Sequence, residues 1–193
     1  TSQISAPPAS TTHLAHVSAV LAASGSADDN EFYQTWWRQA LSGQDQLRQR
    51  VAFALSQIFV ISLNDDVIDA RGAASYYDML TRNALGNYRD LLEEVTLHPM
   101  MGRYLTYLAN QKEDAAGTRS PDENYAREVM QLMTIGLVEL NADGTQRLNA
   151  GQPIPTYTSA DIAGLAKVFT GISWYHPAPT NNTFFGGGAD PER

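Results

Sequence analysis

Ser120-Pro121-Asp122-Glu123-Asn124-Tyr125-Ala126-Arg127-Glu128-Val129-Met130-Gln131-Leu132-Met133-Thr134-Ile135-Gly136 is the stretch on which the fold reading turns. Ser120 with Glu123 three residues later has the spacing of a capping box. Pro121 suits a first helical position, where a backbone N–H would go unpaired anyway. Asn124, Arg127, Glu128 and Gln131 follow at offsets of three, four and seven. They form a polar stripe opposite Tyr125, Val129 and Leu132. The pattern predicts one long helix over 120–135.

Similar signals recur on both sides. Thr11 or Thr12 opens a helix carrying Leu14, Val17, Val20 and Leu21 that stops near Gly25. A helix over 29–41 puts Phe32, Trp36 and Ala40 on one stripe, with Gly43 as its stop. Over 45–61, Leu47, Val51, Ala54, Leu55 and Ile58 recur at helical spacing, so this face should be inward and Arg48 and Gln49 outward. Further helices are predicted over 73–84, 88–97 and 99–109, then a polar loop over 110–119. After Val138 the pattern becomes a small β-hairpin turning on Asp143-Gly144, and 151–157 is extended. Thr158 caps a last helix through Phe169, with Ile162, Leu165, Ala166 and Phe169 inward and Gly171 at its end. The fold class is therefore all-α, well over half helix, with one short β-hairpin near 138–149. No repeat or domain-sized linker interrupts it, so 1–193 reads as a single helical domain with flexible ends at 1–10 and 181–193.

Composition removes several function classes. Thirteen Lys and Arg against 21 Asp and Glu give a net charge of -8, with a pI near 4.8. A nucleic-acid binder needs clustered basic residues to displace counterions, and an anionic membrane surface needs the same. The 43% hydrophobic content is enough for a core. The longest apolar run, 51–63, is interrupted by Ser56 and Gln57 and cannot span a membrane. Cysteine is absent, which excludes disulfides, thiol catalysis and cysteine-ligated zinc.

The stretch 120–136, followed by Pro153-Ile-Pro-Thr-Tyr-Thr-Ser-Ala-Asp-Ile-Ala-Gly-Leu-Ala-Lys-Val-Phe-Thr-Gly171, resembles the bacterial family called domain of unknown function 1800. Trp37 to Ala40, Leu47 to Ser56 and Tyr76 to Leu80 look like the same family. The resemblance implies a longer protein, of which these residues are a leading portion, and export to the periplasm or beyond. Members often accompany a sulfatase-like protein, which hints at extracellular polymers. Two positions depart from the family pattern: many members carry His or Phe at Met133, and Trp at Ile172. A mechanism that relied on that His would be impossible here.

The residues themselves name no reaction. Glu123 and Glu128 suggest paired carboxylates, but five helical positions separate them by roughly 7.5 Å of rise and about 140° of rotation. Such groups do not flank one scissile bond, and Glu123 already has a place in the predicted cap with Ser120. The stripe of Asn124, Arg127, Glu128 and Gln131 has three readings: a solvated face with a Glu123–Arg127 ion pair, a buried polar network, or a ligand or catalytic site. His98, before Pro99, serves a helix junction and is the candidate to join that stripe in a cleft. His13 and His16 read as an exposed helix pair with no third ligand, so no metal site is expected. His176 lies among Trp174, Tyr175 and Pro177, a cluster that can plug a core or face a sugar ring. Asn141, Asp143 and Thr145 open like a calcium loop, but Gln152 stands where the bidentate Glu belongs. No nucleophile elbow or phosphate-binding glycine motif is present, and no cofactor is implied.

The expectation is a secreted helical protein with a binding or structural role linked to extracellular polymers such as glycans. One alternative is a polysaccharide-active hydrolase with a cleft around Arg127 and Glu128. Another is a scaffold for a partner protein. The apolar faces of the 45–61 and 158–169 helices lead us to expect cover from a missing C-terminal half or a second copy.

Overall fold

The computed structural model of the chain describes residues 3–6 and 11–186. It is mainly α, 52% helical, with a two-stranded antiparallel hairpin as its sheet among the described residues. The helical share is smaller than the sequence pattern suggests, because three of the predicted helices are shorter than expected. The described residues group into two compact units. One holds the chain up to Tyr104 and again from Trp174, and the other is Leu105–Ser173. The sequence reads as one domain because no Pro- or Gly-rich linker marks either crossing.

The first unit begins with α1 (His13–Ser24), which Thr12 caps by accepting from the Ala15 N–H and Gly25 ends at φ 79°. A capping box of Asp28 and Glu31 starts α2 (Asp29–Ser42), and α3 (Gln46–Ser56) follows. Next come α4 (Ala70–Asn83), α5 (Tyr88–Leu97) and α6 (Pro99–Tyr104). Nine of the fourteen α4 residues are buried, which makes it the central helix. It packs against α1, α2, α3, α5 and α6. Gly72 is required where α4 meets α6, since a Cβ there would lie 2.3 Å from the Met100 sulfur. Asp78 on α4 accepts from the His13 and Leu14 N–H groups, both at 2.9 Å, and so satisfies the open first turn of α1 from outside that helix.

The predicted orientation of α3 is overturned. Gln49 and Ala52 are buried, while Leu47, Phe53 and Ile58 are 37%, 49% and 43% exposed. A polar layer decides this. The Gln49 amide donates to Gln39 Oε1 and Asp45 Oδ2, and the Gln39 amide donates to the Thr11 carbonyl. Arg48 donates to the Thr81 and Arg82 carbonyls, at the C-terminal end of α4. The helix also stops at Ser56 instead of 61, so that Phe59 turns fully inward and its carbonyl accepts from the Tyr76 hydroxyl. Likewise α6 stops at Tyr104 instead of 109, because Thr106 and Ala109 take left-handed φ values of 61° and 60°.

The second unit is built around Tyr107 and Tyr125, stacked 4.2 Å apart, with Phe169 against both rings. Here the 120–135 helix is corrected. The helix α7 (Asn124–Glu128) starts four residues late and passes into a π-helical turn, Val129–Met133. Ser120 is exposed and outside the helix, and Glu123 makes no capping bond. Asp122 takes over: its Oδ1 accepts from the Asn124 N–H and its Oδ2 from the Thr106 hydroxyl. Asn110 Oδ1 accepts from the Asp122 N–H, so 120–123 is tied to the 105–110 loop and not wound into helix. The π turn adds a residue per turn and swings Met133 inward, leaving Leu132 62% exposed instead of facing the core.

Downstream, the Asp143-Gly144 turn forms but carries a single bridge, Leu140 to Gln146. The ladder itself lies one turn later. β1 (Leu148–Asn149) pairs with β2 (Gln152–Pro153) across Ala150 and Gly151, both at positive φ as a two-residue hairpin turn requires. Thr158 and Asp161 form the capping box of α8 (Ser159–Val168), with Ile162, Ala166 and Phe169 buried as predicted and Leu165 half-buried. Back in the first unit, Thr180 caps α9 (Asn181–Phe184), within the segment predicted to be a flexible end. At the other predicted flexible end, Gln3 bonds the backbone of Gln44 and Leu47, while 1–2, 7–10 and 187–193 lie outside the described residues.

Ser120→Ala is expected to change the urea-unfolding free energy of the intact chain by less than about 0.5 kcal/mol. Asp122→Ala should cost about 1–2 kcal/mol, since it strips the Asn124 N–H and the Thr106 hydroxyl of their acceptor. The reverse order would restore the cap to Ser120.

Candidate functional site

A cleft of about 330 Å³ opens in the first unit between α2, the segment after α3, and α4. Its walls are the rings of Phe32, Tyr33, Phe59, Tyr76 and Tyr77, with Val60, Ile61, Leu63 and Ala73 between them. Its polar groups are Ser56, Gln57 and Ser62, so no lining residue is charged or a histidine. The Asp28 capping box sets the phase of α2 so that Phe32 is buried and Tyr33 stands 46% exposed at the rim. The bond from Tyr76 Oη to the Phe59 carbonyl, 3.0 Å, fixes the inner wall. Sequence reasoning missed this cleft. Its one signal was the run 51–63, which carries no charge. That run reads as core but forms an open wall.

A second, shallower cleft of about 390 Å³ lies where α1, α4 and α5 meet, lined in part by Ser75, Asp78, Arg82, Glu94 and His98. Here His98, a sequence candidate, lies 3.3 Å from the Ser75 hydroxyl through Nε2. The pair looks like a nucleophile and its base, but the other ring nitrogen decides otherwise. His98 Nδ1 accepts from the Met100 N–H at 3.2 Å, so in the neutral ring the proton sits on Nε2 and points at Ser75. A histidine that donates to the hydroxyl cannot take its proton. Burial, with help from Arg82 and against Glu94, pushes the ring down to about 4, so it is neutral at pH 7. Its role is the α5–α6 junction, as expected from its position before Pro99. Arg82 is paired with Glu94, and both are exposed.

His13 departs from the sequence reading. It is fully buried, with Phe32 at 5.8 Å and Tyr77 edge-on at 5.3 Å, because Asp78 draws the start of α1 down onto α4. Neither of its ring nitrogens has a hydrogen-bond partner. Burial pushes its pKa down to about 4, opposed by Asp45 and helped by His16. His16 is half-buried, and no group of three side chains among the described residues could hold a metal ion.

Of the remaining sequence candidates, Asn124, Arg127, Glu128 and Gln131 belong to the second unit, whereas His98 belongs to the first. The Asn124 amide donates to the Thr106 hydroxyl at 2.8 Å and joins the Asn110–Asp122 knot, whose other members the sequence did not mark. Arg127 pairs with Glu123 at 3.3 Å with 46% and 44% of the two side chains exposed, a contact worth only tenths of a kcal/mol. Glu128 is half-buried, with Oε2 enclosed and unpartnered, and Gln131 lies within the π turn. Trp174 packs against the Ile68, Ala73 and Met100 cluster and carries Arg103 over its ring, which favours the core-plug reading. His176 closes a local turn with Ala178. Asp143 Oδ1 accepts from both the N–H and the hydroxyl of Thr145, as a turn residue does.

Ser75 is expected to resist acylating and phosphonylating serine probes at pH 7.5, with the intact chain read by mass spectrometry. Covalent labelling at Ser75 would contradict the proton placement on His98.

No curated protein and no solved structure matches the chain. A family model described as "Protein of unknown function (DUF1800)" matches residues 2–189. The chain therefore belongs to that family, as the motifs at 120–136 and 153–171 imply.

Proposed function

We propose that this chain is a binding protein and that the cleft of the first unit takes a neutral segment of an extracellular saccharide polymer. The observation that carries this reading is the absence of any charged side chain from the cleft lining. An ionised phosphate or carboxylate placed there would lose hydration and gain no counter-charge. A sugar asks for something else: aromatic rings under its C–H faces, and hydroxyl or amide groups at its edges. Tyr33, Tyr77 and Phe32 supply the first, and Ser56, Gln57 and Ser62 the second. The same lining offers no carboxyl or imidazole to serve as general acid or base, so the reading is binding and not hydrolysis. It agrees with the export that family membership suggests.

A second reading, a scaffold for a protein partner, rests on a different surface. Trp37, Leu41 and Phe53 on α2 and α3 are 56%, 78% and 49% exposed, outside the cleft lining. A further part of the same protein or a second copy would suit that face. The hydrolase reading around Arg127 and Glu128 is weaker, because Arg127 is turned toward Glu123 in solvent.

Calorimetry with a panel of neutral hexasaccharides (cello-, malto- and chitohexaose) separates the two leading readings. One of the panel should bind, Tyr33→Ala should weaken it by about tenfold or more, and Trp37→Ala should leave it unchanged. No binding by the intact chain, or equal loss in both variants, would contradict the saccharide reading.

A further inference from the structure

The two residues that form the inner wall of the cleft, Tyr76 and Tyr77, are each braced from behind by a buried histidine. His98 meets the Tyr76 ring edge-on at 5.0 Å, and His13 meets the Tyr77 ring edge-on at 5.3 Å while also touching Phe32. The rings are 8% and 0% exposed. We propose that these histidines make the cleft an acid-sensitive site: it is closed and competent while both rings are neutral, and it opens and releases its ligand when they are protonated. The proposal rests on the saccharide reading for its ligand, and on the geometry of the two rings for its gate.

Neither ring has room for a second proton in the closed form. Nδ1 of His98 already accepts from the Met100 N–H, so an imidazolium would set two N–H groups against each other and break the α5–α6 junction. His13 has no acceptor at either nitrogen, so its imidazolium would be a buried charge with two unpaired donors against Phe32 and Tyr77. The first turn of α1, which carries His13, is held to α4 through Asp78. Losing the His13 contact therefore strains the α1–α4 junction behind Tyr77.

The groups around each ring decide the sign. His13 faces His16 on its own helix, Asp45 before α3, the Phe32 ring on α2, and Tyr77 on α4 with the Asp78 carboxylate at its backbone N–H. His98 faces Ser75 and Arg82 on α4, Glu94 on α5 and the Met100 N–H on α6. Burial outweighs Asp45 at the first and Glu94 at the second, and both rings are pushed from 6.5 down to about 4. Above pH 6.5 both forms are neutral and the closed form keeps its full advantage. Between 6.5 and 4 the open form takes up protons that the closed form refuses, and below 4 the penalty levels off. At pH 5 each histidine disfavours closure by roughly 20-fold relative to pH 7. The Asp78 carboxyl, raised by burial, opposes this effect at the acid end of the range.

Ring-proton NMR of the ligand-free chain from pH 7.5 to 4, with the hexasaccharide panel titrated at pH 7.5 and 5.0, tests the gate and the ligand separately. The His13 and His98 rings should remain neutral well below pH 6, and the Tyr76 and Tyr77 ring signals should shift as they protonate. Hexasaccharide affinity should fall at least tenfold at pH 5.0, and His98→Gln, which cannot titrate, should reduce that fall. Either ring titrating near 6.5 in the closed form, or tyrosine signals indifferent to histidine protonation, overturns the gate. So does hexasaccharide affinity equal at the two pH values, and in that case saccharide binding itself stands. No hexasaccharide binding at pH 7.5 sinks the ligand reading and the gate with it.

Discussion

Asp78 sits on a helix buried along most of its length, and its two carboxylate oxygens hold the first two N–H groups of α1. A carboxylate drawn partly out of water, as Asp78 is, is costly unless it is bonded, and the open end of a helix is costly unless something accepts from it. Each debt settles the other. The contact fixes where α1 begins relative to α4, and that places His13 behind Tyr77. With α4 surrounded by α1, α2, α3, α5 and α6, Tyr76 and Tyr77 are buried among these helices at the back of the cleft. They form its inner wall.

The same constraint explains the polar interior of α3. The C-terminal carbonyls of α4 need donors, and Arg48 provides two of the bonds. Turning Arg48 toward α4 also turns Gln49 into the layer with Gln39 and Asp45, and it leaves Phe53 in solvent. The apolar stripe on α3 is thus spent on an open surface while amides are buried. A helix follows its hydrophobic face only when no stronger polar demand meets it from a neighbour.

Local signals were legible in the sequence, and distant partners were not. Thr12, Gly25, Gly43 and Thr158 act within one helical turn, so these ends of α1, α2 and α8 read directly. Ser120 failed because Asp122 found its partners twelve and sixteen residues away, in Asn110 and Thr106. The π turn at Val129–Met133 failed for a related reason: its inserted residue leaves no mark in a 3.6-residue pattern, yet it exchanges Leu132 for Met133 in the core. For the site, the sequence pointed to charged residues, and the cleft is made of uncharged ones. His98 was found at its helix junction, but its partner Ser75 lies 23 residues earlier. His13 looked like a surface residue until Asp78 supplied the force that buries it.

The central claim is that Asp78 on α4 secures α1 and thereby the back of the cleft. Amide hydrogen exchange at His13 and Leu14, compared between the intact chain and its Asp78→Ala variant, tests it directly. The account predicts slow exchange at both amides in the parent chain and exchange near the unprotected rate in the variant. Fast exchange in the parent, or protection that survives the loss of the carboxylate, would contradict it.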